Sequence, residues 1–111
     1  MAFQEKQLCQ ARENSTNAVS VYSPGTGVTA IIKDIWLVNT TSASVVVSLF
    51  CDDDGTTYDE NTALIYQKTF EANEERKIPC FIAMNNTLGN LAYQVSVANA
   101  VTLTAFGAEQ T

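Results

Sequence analysis

The chain contains no histidine, which removes the side chain most often used as a general base near neutral pH. Serine nucleophiles therefore lack their usual partner, no G-x-S-x-G elbow occurs, and no motif supports a Ser–Lys arrangement instead. Cysteine is scarce. Cys9, Cys51 and Cys80 are an odd number with no CxxC pair, and without histidine that argues against a structural zinc site. Basic residues are also few: Lys6, Arg12, Lys33, Lys68, Arg76 and Lys77 stand against twelve acidic side chains, for a net charge of −6. Nucleic-acid affinity rests on clustered Lys and Arg, and only Arg76 and Lys77 are adjacent, so no nucleic-acid partner is expected. Gly25-Thr26-Gly27 is too short for a phosphate cradle and no P-loop lysine follows it.

No apolar run approaches the roughly 18 residues that a membrane helix needs, so no membrane partner is expected. The first residues, Met1 to Gln7, lack the apolar stretch of a secretory signal. The expectation is a protein made and folded in a cytosol, where the N-x-S/T sequences at Asn14, Asn39 and Asn85 carry no meaning as glycosylation sites.

What is present is a run of short strands. The 111 residues, 46% of them aliphatic, aromatic or cysteine, suffice for one domain with a single core. From Leu91 to Phe106 the pattern alternates with a period of two. Leu91, Tyr93, Val95 and Val97 oppose Ala92, Gln94, Ser96 and Ala98; after a break at Asn99-Ala100, Val101, Leu103 and Ala105 oppose Thr102, Thr104 and Phe106. This marks half-buried antiparallel strands. Further strands are read at Ala18–Tyr22, Thr29–Asn39, Ser44–Cys51, Leu64–Phe70 and Arg76–Ile82. Turns fall at Ser23–Gly27, Asn39–Ala43 and Glu71–Glu75. Pro79 predicts an edge or a bulge for its strand. Both faces of Thr29–Asn39 are largely apolar, as in a strand covered on both sides by a second sheet or a neighbouring subunit. Trp36, on that strand, reads as a core or core-edge residue, or else as an interface anchor.

Seven strands result, or eight if the loop at 56–62 adds one, and the expected fold is an all-β, antiparallel, jelly-roll-like β-sandwich over residues 18–111. Residues 1–17 are polar and are expected to form a flexible N-terminal arm, with a short helix over Phe3–Arg12 as an alternative, ordered when it docks. Cys51 and Cys80 read as buried free thiols, and Cys9, in the arm, as open to an intermolecular disulfide in an oxidising medium.

The one dense polar cluster is the acidic loop Asp52–Glu60. Asp52, Asp54 and Asp59 are the candidate carboxylates for a hard cation, although Gly55 follows Asp54 directly and the calcium-loop spacing fails. The other reading is a tight Asp-Gly turn. Consecutive aspartates on a loop do not supply the facing pair of a glycosidase. No catalytic residue and no cofactor is assigned.

Three stretches, Val28–Thr41 (VTAIIKDIWLVNTT), Asp52–Glu60 (DDDGTTYDE) and Ala83–Glu109 (AMNNTLGNLAYQVSVANAVTLTAFGAE), together resemble small virion proteins of tailed bacteriophages. The likeness lies in strand and turn phrases over most of the chain outside the arm; Pro24-Gly25-Thr26-Gly27 departs from the family's usual Pro-Ala turn. The resemblance implies a non-enzymatic β-sandwich in a virion, serving in head decoration, head fibres, or tail and baseplate. It transfers no catalytic residue. The first functional reading is a capsid decoration (cement) protein, a homotrimer that binds the major capsid protein, with Phe3, Leu8, Cys9, Arg12 and Trp36 as candidate interface residues. The second is a tail, fibre or collar component in host or glycan adhesion, with Tyr58 beside Asp59 as the candidate aromatic.

Overall fold

The computed structural model describes residues 3–55 and 57–111; Met1 and Ala2 of the expected arm and Thr56 of the acidic loop lie outside the described residues. Eight strands follow in order: β1 (Phe3–Arg12), β2 (Val19–Tyr22), β3 (Thr29–Asn39), β4 (Val45–Asp52), β5 (Ala63–Phe70), β6 (Glu75–Met84), β7 (Asn90–Val95) and β8 (Val101–Gln110). They form two four-stranded antiparallel sheets, ordered β1-β8-β3-β6 and β2-β7-β4-β5. The pairing is nested: β1 with β8, β2 with β7, β3 with β6, and β4 with β5. The chain is thus one long hairpin rolled over so that β3 also meets β8 and β4 also meets β7. That is the jelly roll, as the strand pattern predicts.

The inner faces interdigitate as a single core. Ile32, Ile35 and Leu37 of β3, Val45, Val47 and Leu49 of β4, Leu91, Tyr93 and Val95 of β7, and Val101, Leu103 and Ala105 of β8 are all buried. The alternation read from Leu91 to Ala105 therefore gives the correct inward set, except that Val97 lies past the end of β7 and is exposed.

The phase of β3 departs from simple alternation. A register shift lies between Ile32 and Asp34 against both neighbours. Against β8 Lys33 is the extra residue, whereas against β6 it is opposed by two residues, Cys80 and Phe81, and the inward set of β3 switches from Ala30 and Ile32 to Ile35, Leu37 and Asn39. This β-bulge accounts for the two apolar faces expected of β3: each face carries a different half of the strand's aliphatic side chains. β8 passes so close at this point that a Cβ on Gly107 would sit 1.9 Å from the Ile31 carbonyl oxygen. Pro79 lies opposite Asp34 on β6, an edge strand, at the same bulge, where the missing N–H is tolerated.

Two expectations are corrected. Residues 3–12 form neither helix nor free arm; they are the edge strand β1, paired with β8 from Phe3↔Gln110 to Arg12↔Thr102. The hydrogen-bonding edge of β8 selects the extended form, and a bulge between Gln7 and Cys9 lets Leu8, Cys9 and Ala11 pack on the core. The eighth strand is accordingly β1, and residues 57–62 contain no strand.

Two buried polar side chains tie the loops to this frame. The Asn39 amide nitrogen donates to the carbonyls of Ala43 (2.8 Å), Phe70 (3.3 Å) and Glu71 (2.9 Å), and its oxygen accepts from Thr41 N–H (3.0 Å) and Thr41 hydroxyl (2.8 Å). The Tyr93 hydroxyl accepts from Glu13 N–H at 2.9 Å and donates to the Val101 carbonyl at 3.1 Å, fixing the end of β1 to the core.

Candidate functional site

Two surfaces carry the residues singled out from the sequence. The first is a cleft of about 400 Å³ at one end of the sandwich, lined by Asp52, Asp54, Thr57 and Asn86 among others. Asp52 closes β4 opposite Asn90 of β7 and is buried. One carboxylate oxygen accepts the Thr57 N–H at 3.0 Å, while the other, Oδ1, is buried and has no hydrogen-bond partner among the described residues. The Thr57 N–H is shared with Asp54 Oδ1 at 3.0 Å, and the Thr57 hydroxyl donates to Asp54 Oδ2. Burial, and then the adjoining Asp54 carboxyl, raise the Asp52 pKa above the ordinary carboxylate range.

Asp59 is engaged elsewhere. Its carboxylate accepts the Asn61 N–H at 2.8 Å within its own turn. The structure therefore brings Asp52 and Asp54 together but not Asp59, and among the described residues no group of three or more carboxylate or thiol side chains converges as metal ligands. The same loop folds back on the sheet. Tyr58 is half-buried with its ring centroid 6.2 Å from that of Phe50, so the aromatic proposed for glycan contact packs over β4. This covering loop explains why Phe50 and Ala92, a cross-strand pair on the outward side of β4 and β7, are buried.

A raised carboxylate pKa means that ionising Asp52 opposes folding. The destabilisation is absent below the unfolded pKa and grows as pH rises through the folded one. Asp52→Asn keeps an acceptor for Thr57 N–H and removes the charge. It should stabilise the protein at pH 7 by about 1 kcal/mol, roughly 4–8 °C in Tm, and the gain should vanish near pH 3. Thermal melts of both proteins across that range check it.

The second surface is the outward face of the β1-β8-β3-β6 sheet. Cross-strand registers set its rows: Gln7–Phe106–Asp34–Pro79 at the bulge, and Gln10–Thr104–Trp36–Lys77 beside it. Trp36 lies here and not in the core, half-buried, with the Lys77 ammonium 5.6 Å from its ring centroid. Phe3 is on the same face near the other end, exposed, with Lys33 5.9 Å from its ring and Lys33 in turn 2.7 Å from Glu5. Arg12 is exposed at the end of β1. Of the five contact candidates, Phe3, Arg12 and Trp36 thus share one face, whereas Leu8 and Cys9 are half-buried against the core. Sequence reasoning missed Phe81 and Phe106, both exposed on this face; their alternation with core residues on β6 and β8 is the signal that points to them.

All three cysteines are free thiols, half-buried. Burial raises the pKa of each, that of Cys9 to about 11. The Cys9 side chain faces inward at the β1 bulge and is not the solvent-facing thiol expected of a loose arm. At pH 8 that pKa leaves roughly a hundredfold less thiolate than an ordinary cysteine carries, so maleimide should label Cys9 in the native protein at least that much more slowly than in urea.

No protein-family model and no curated protein matches the chain. Among solved structures it is similar to a chain of the T13 particle of infectious bursal disease virus, with a TM-score of 0.53 and 10% identity over 96% of this chain and 30% of that one. It is also similar to the coat protein of tobacco streak virus, with a TM-score of 0.50 and 8% identity over 99% of this chain and 85% of that one. The chain spans under a third of the length of the first and most of the second. At such identities the likeness is one of fold alone.

Proposed function

We propose that the chain is a virion structural protein of a tailed bacteriophage, a capsid decoration (cement) protein that binds the outer head surface as a homotrimer and stabilises the shell. The observation that carries this reading is the nested eight-strand jelly roll, an architecture used for building virus shells, in a chain whose strand and turn phrases resemble phage virion proteins. A decorating module stabilises a shell by mass action, since it binds the assembled form, and an oligomer bridging several capsid subunits gains from simultaneous contacts. The partners are further copies of the chain and the major capsid protein. Phe3, Arg12 and Trp36 are the contact side chains in this reading, with Leu8 and Cys9 holding β1 in place.

Localisation of the protein on intact virions by cryo-electron microscopy tests the reading. Density repeated over the head at threefold positions is the expected result. Density confined to the tail or neck would replace it with a tail, fibre or collar role in adhesion.

A further inference from the structure

We infer that copies of this chain associate with one another through the outward face of the β1-β8-β3-β6 sheet, with Trp36, Phe81 and Phe106 as the main apolar contacts and Phe3 at the end of the face. The inference deepens the proposed function and rests on its oligomeric part. It names the surface turned toward the symmetry axis.

Three observations lead to a second copy as the occupant. The first is the apolar content of the face: Phe81 is 73% exposed, Phe3 59% and Phe106 39%, on a face that also carries Trp36. Exposed aromatics gathered on one sheet face mark an interaction site, and aromatic anchors dominate interface energetics. The second is charge. The face carries Glu5, Asp34 and Glu75 against Arg12, Lys33 and Lys77, so its net charge is zero, with Lys33–Glu5 (2.7 Å) and Lys77–Asp34 (3.8 Å) paired within it. The whole −6 of the chain therefore lies on the rest of the molecule, where nine acidic groups stand against three basic ones. Two copies meeting by this face bring no net like charge together. The third is size. Four strands about 4.8 Å apart and about nine residues long at ~3.3 Å each cover about 600 Å², three-quarters of the roughly 800 Å² that each partner contributes to a stable interface.

The test is the solution mass of the full chain and of two variants, Phe81→Glu and Phe106→Glu, with Tyr66→Glu on the exposed part of β5 as control, by size-exclusion chromatography with light scattering. Phe81 is exposed enough for its replacement to leave the fold intact, which circular dichroism verifies; should Phe106→Glu fail to fold, Phe81→Glu decides alone. The expected result is an oligomer for the unmodified chain and for Tyr66→Glu, with Phe81→Glu weakening association roughly a hundredfold or more toward the 12.1 kDa monomer. A monomeric unmodified chain would overturn the inference while leaving head decoration to the localisation experiment. An oligomer unchanged by Phe81→Glu would overturn it too, and loss of shell binding by that intact oligomer would assign the face to the capsid.

Discussion

Gly107→Ala is expected to cost about 4 kcal/mol of folding stability and to lower Tm by roughly 15–30 °C. The cause is backbone against backbone. The added methyl would lie 1.9 Å from the Ile31 carbonyl oxygen and 2.9 Å from its carbon, and neither can move without breaking the β3–β8 ladder at the bulge. A flexible side chain could swing aside; a carbonyl held in a sheet cannot. Since domains of this size have total stabilities of about 5–15 kcal/mol, the variant should be partly unfolded at 37 °C. Gly25→Ala is the matched control, because its added methyl meets only the Val28 side chain at 3.7 Å. Urea midpoints of the two variants decide the matter, and equal midpoints would show that the sheet relaxes around the extra atom.

Asn39→Asp, a change of one heavy atom, is expected to cost about 3 kcal/mol or more at pH 7. The amide nitrogen of Asn39 faces three carbonyl oxygens, those of Ala43, Phe70 and Glu71. Substitution sets a carboxylate against them, buried and with every former donor contact turned into repulsion. The loops following β3 and β5 lose their common anchor. The loss has a pH signature. Protonating the new carboxyl restores one donor, so the folded state raises its pKa, and the gap in Tm from the unmodified protein should narrow as pH is lowered from 7 toward 3. A gap that stays constant would assign the effect to geometry and not to charge.

These two positions also show what the sequence makes legible and what it does not. The strand β3 was readable to the residue at both ends, and Pro79 pointed to the edge position and the bulge of β6. The bulge in β3 itself was hidden, because Ile31 and Ile32 are both apolar and Lys33 and Asp34 both polar, so either phase of alternation fits. Gly107 follows from that bulge and stayed hidden with it. Asn39 reads as an ordinary turn residue, since three of its hydrogen-bond partners, the Thr41 N–H, the Thr41 hydroxyl and the Ala43 carbonyl, lie nearby, while the Phe70 and Glu71 carbonyls arrive from another part of the chain. β1 was the largest omission. Its polar sequence becomes a strand only because β8, some ninety residues away, offers it an edge. The acidic loop was legible as a turn at Asp59, whereas the burial of Asp52 depends on Asn90 and the folded-back loop. The shared face of Phe3, Trp36, Phe81 and Phe106 is a property of register between four strands, which no single stretch encodes.

The place of β8 between β1 and β3 bears on how the protein is made. A ribosome delivers β1 first and β3 soon after, yet the strand that joins them emerges only after about 60 further residues, which takes about 3–12 s at ordinary elongation rates. Through that interval one sheet has a vacant slot with an unpaired edge on either side, and a nascent neighbour on the same message can fill it with its own β8. Fast elongation and dilute polysomes should therefore raise the yield of correctly closed protein, and slow translation near Val101–Gln110 should lower it.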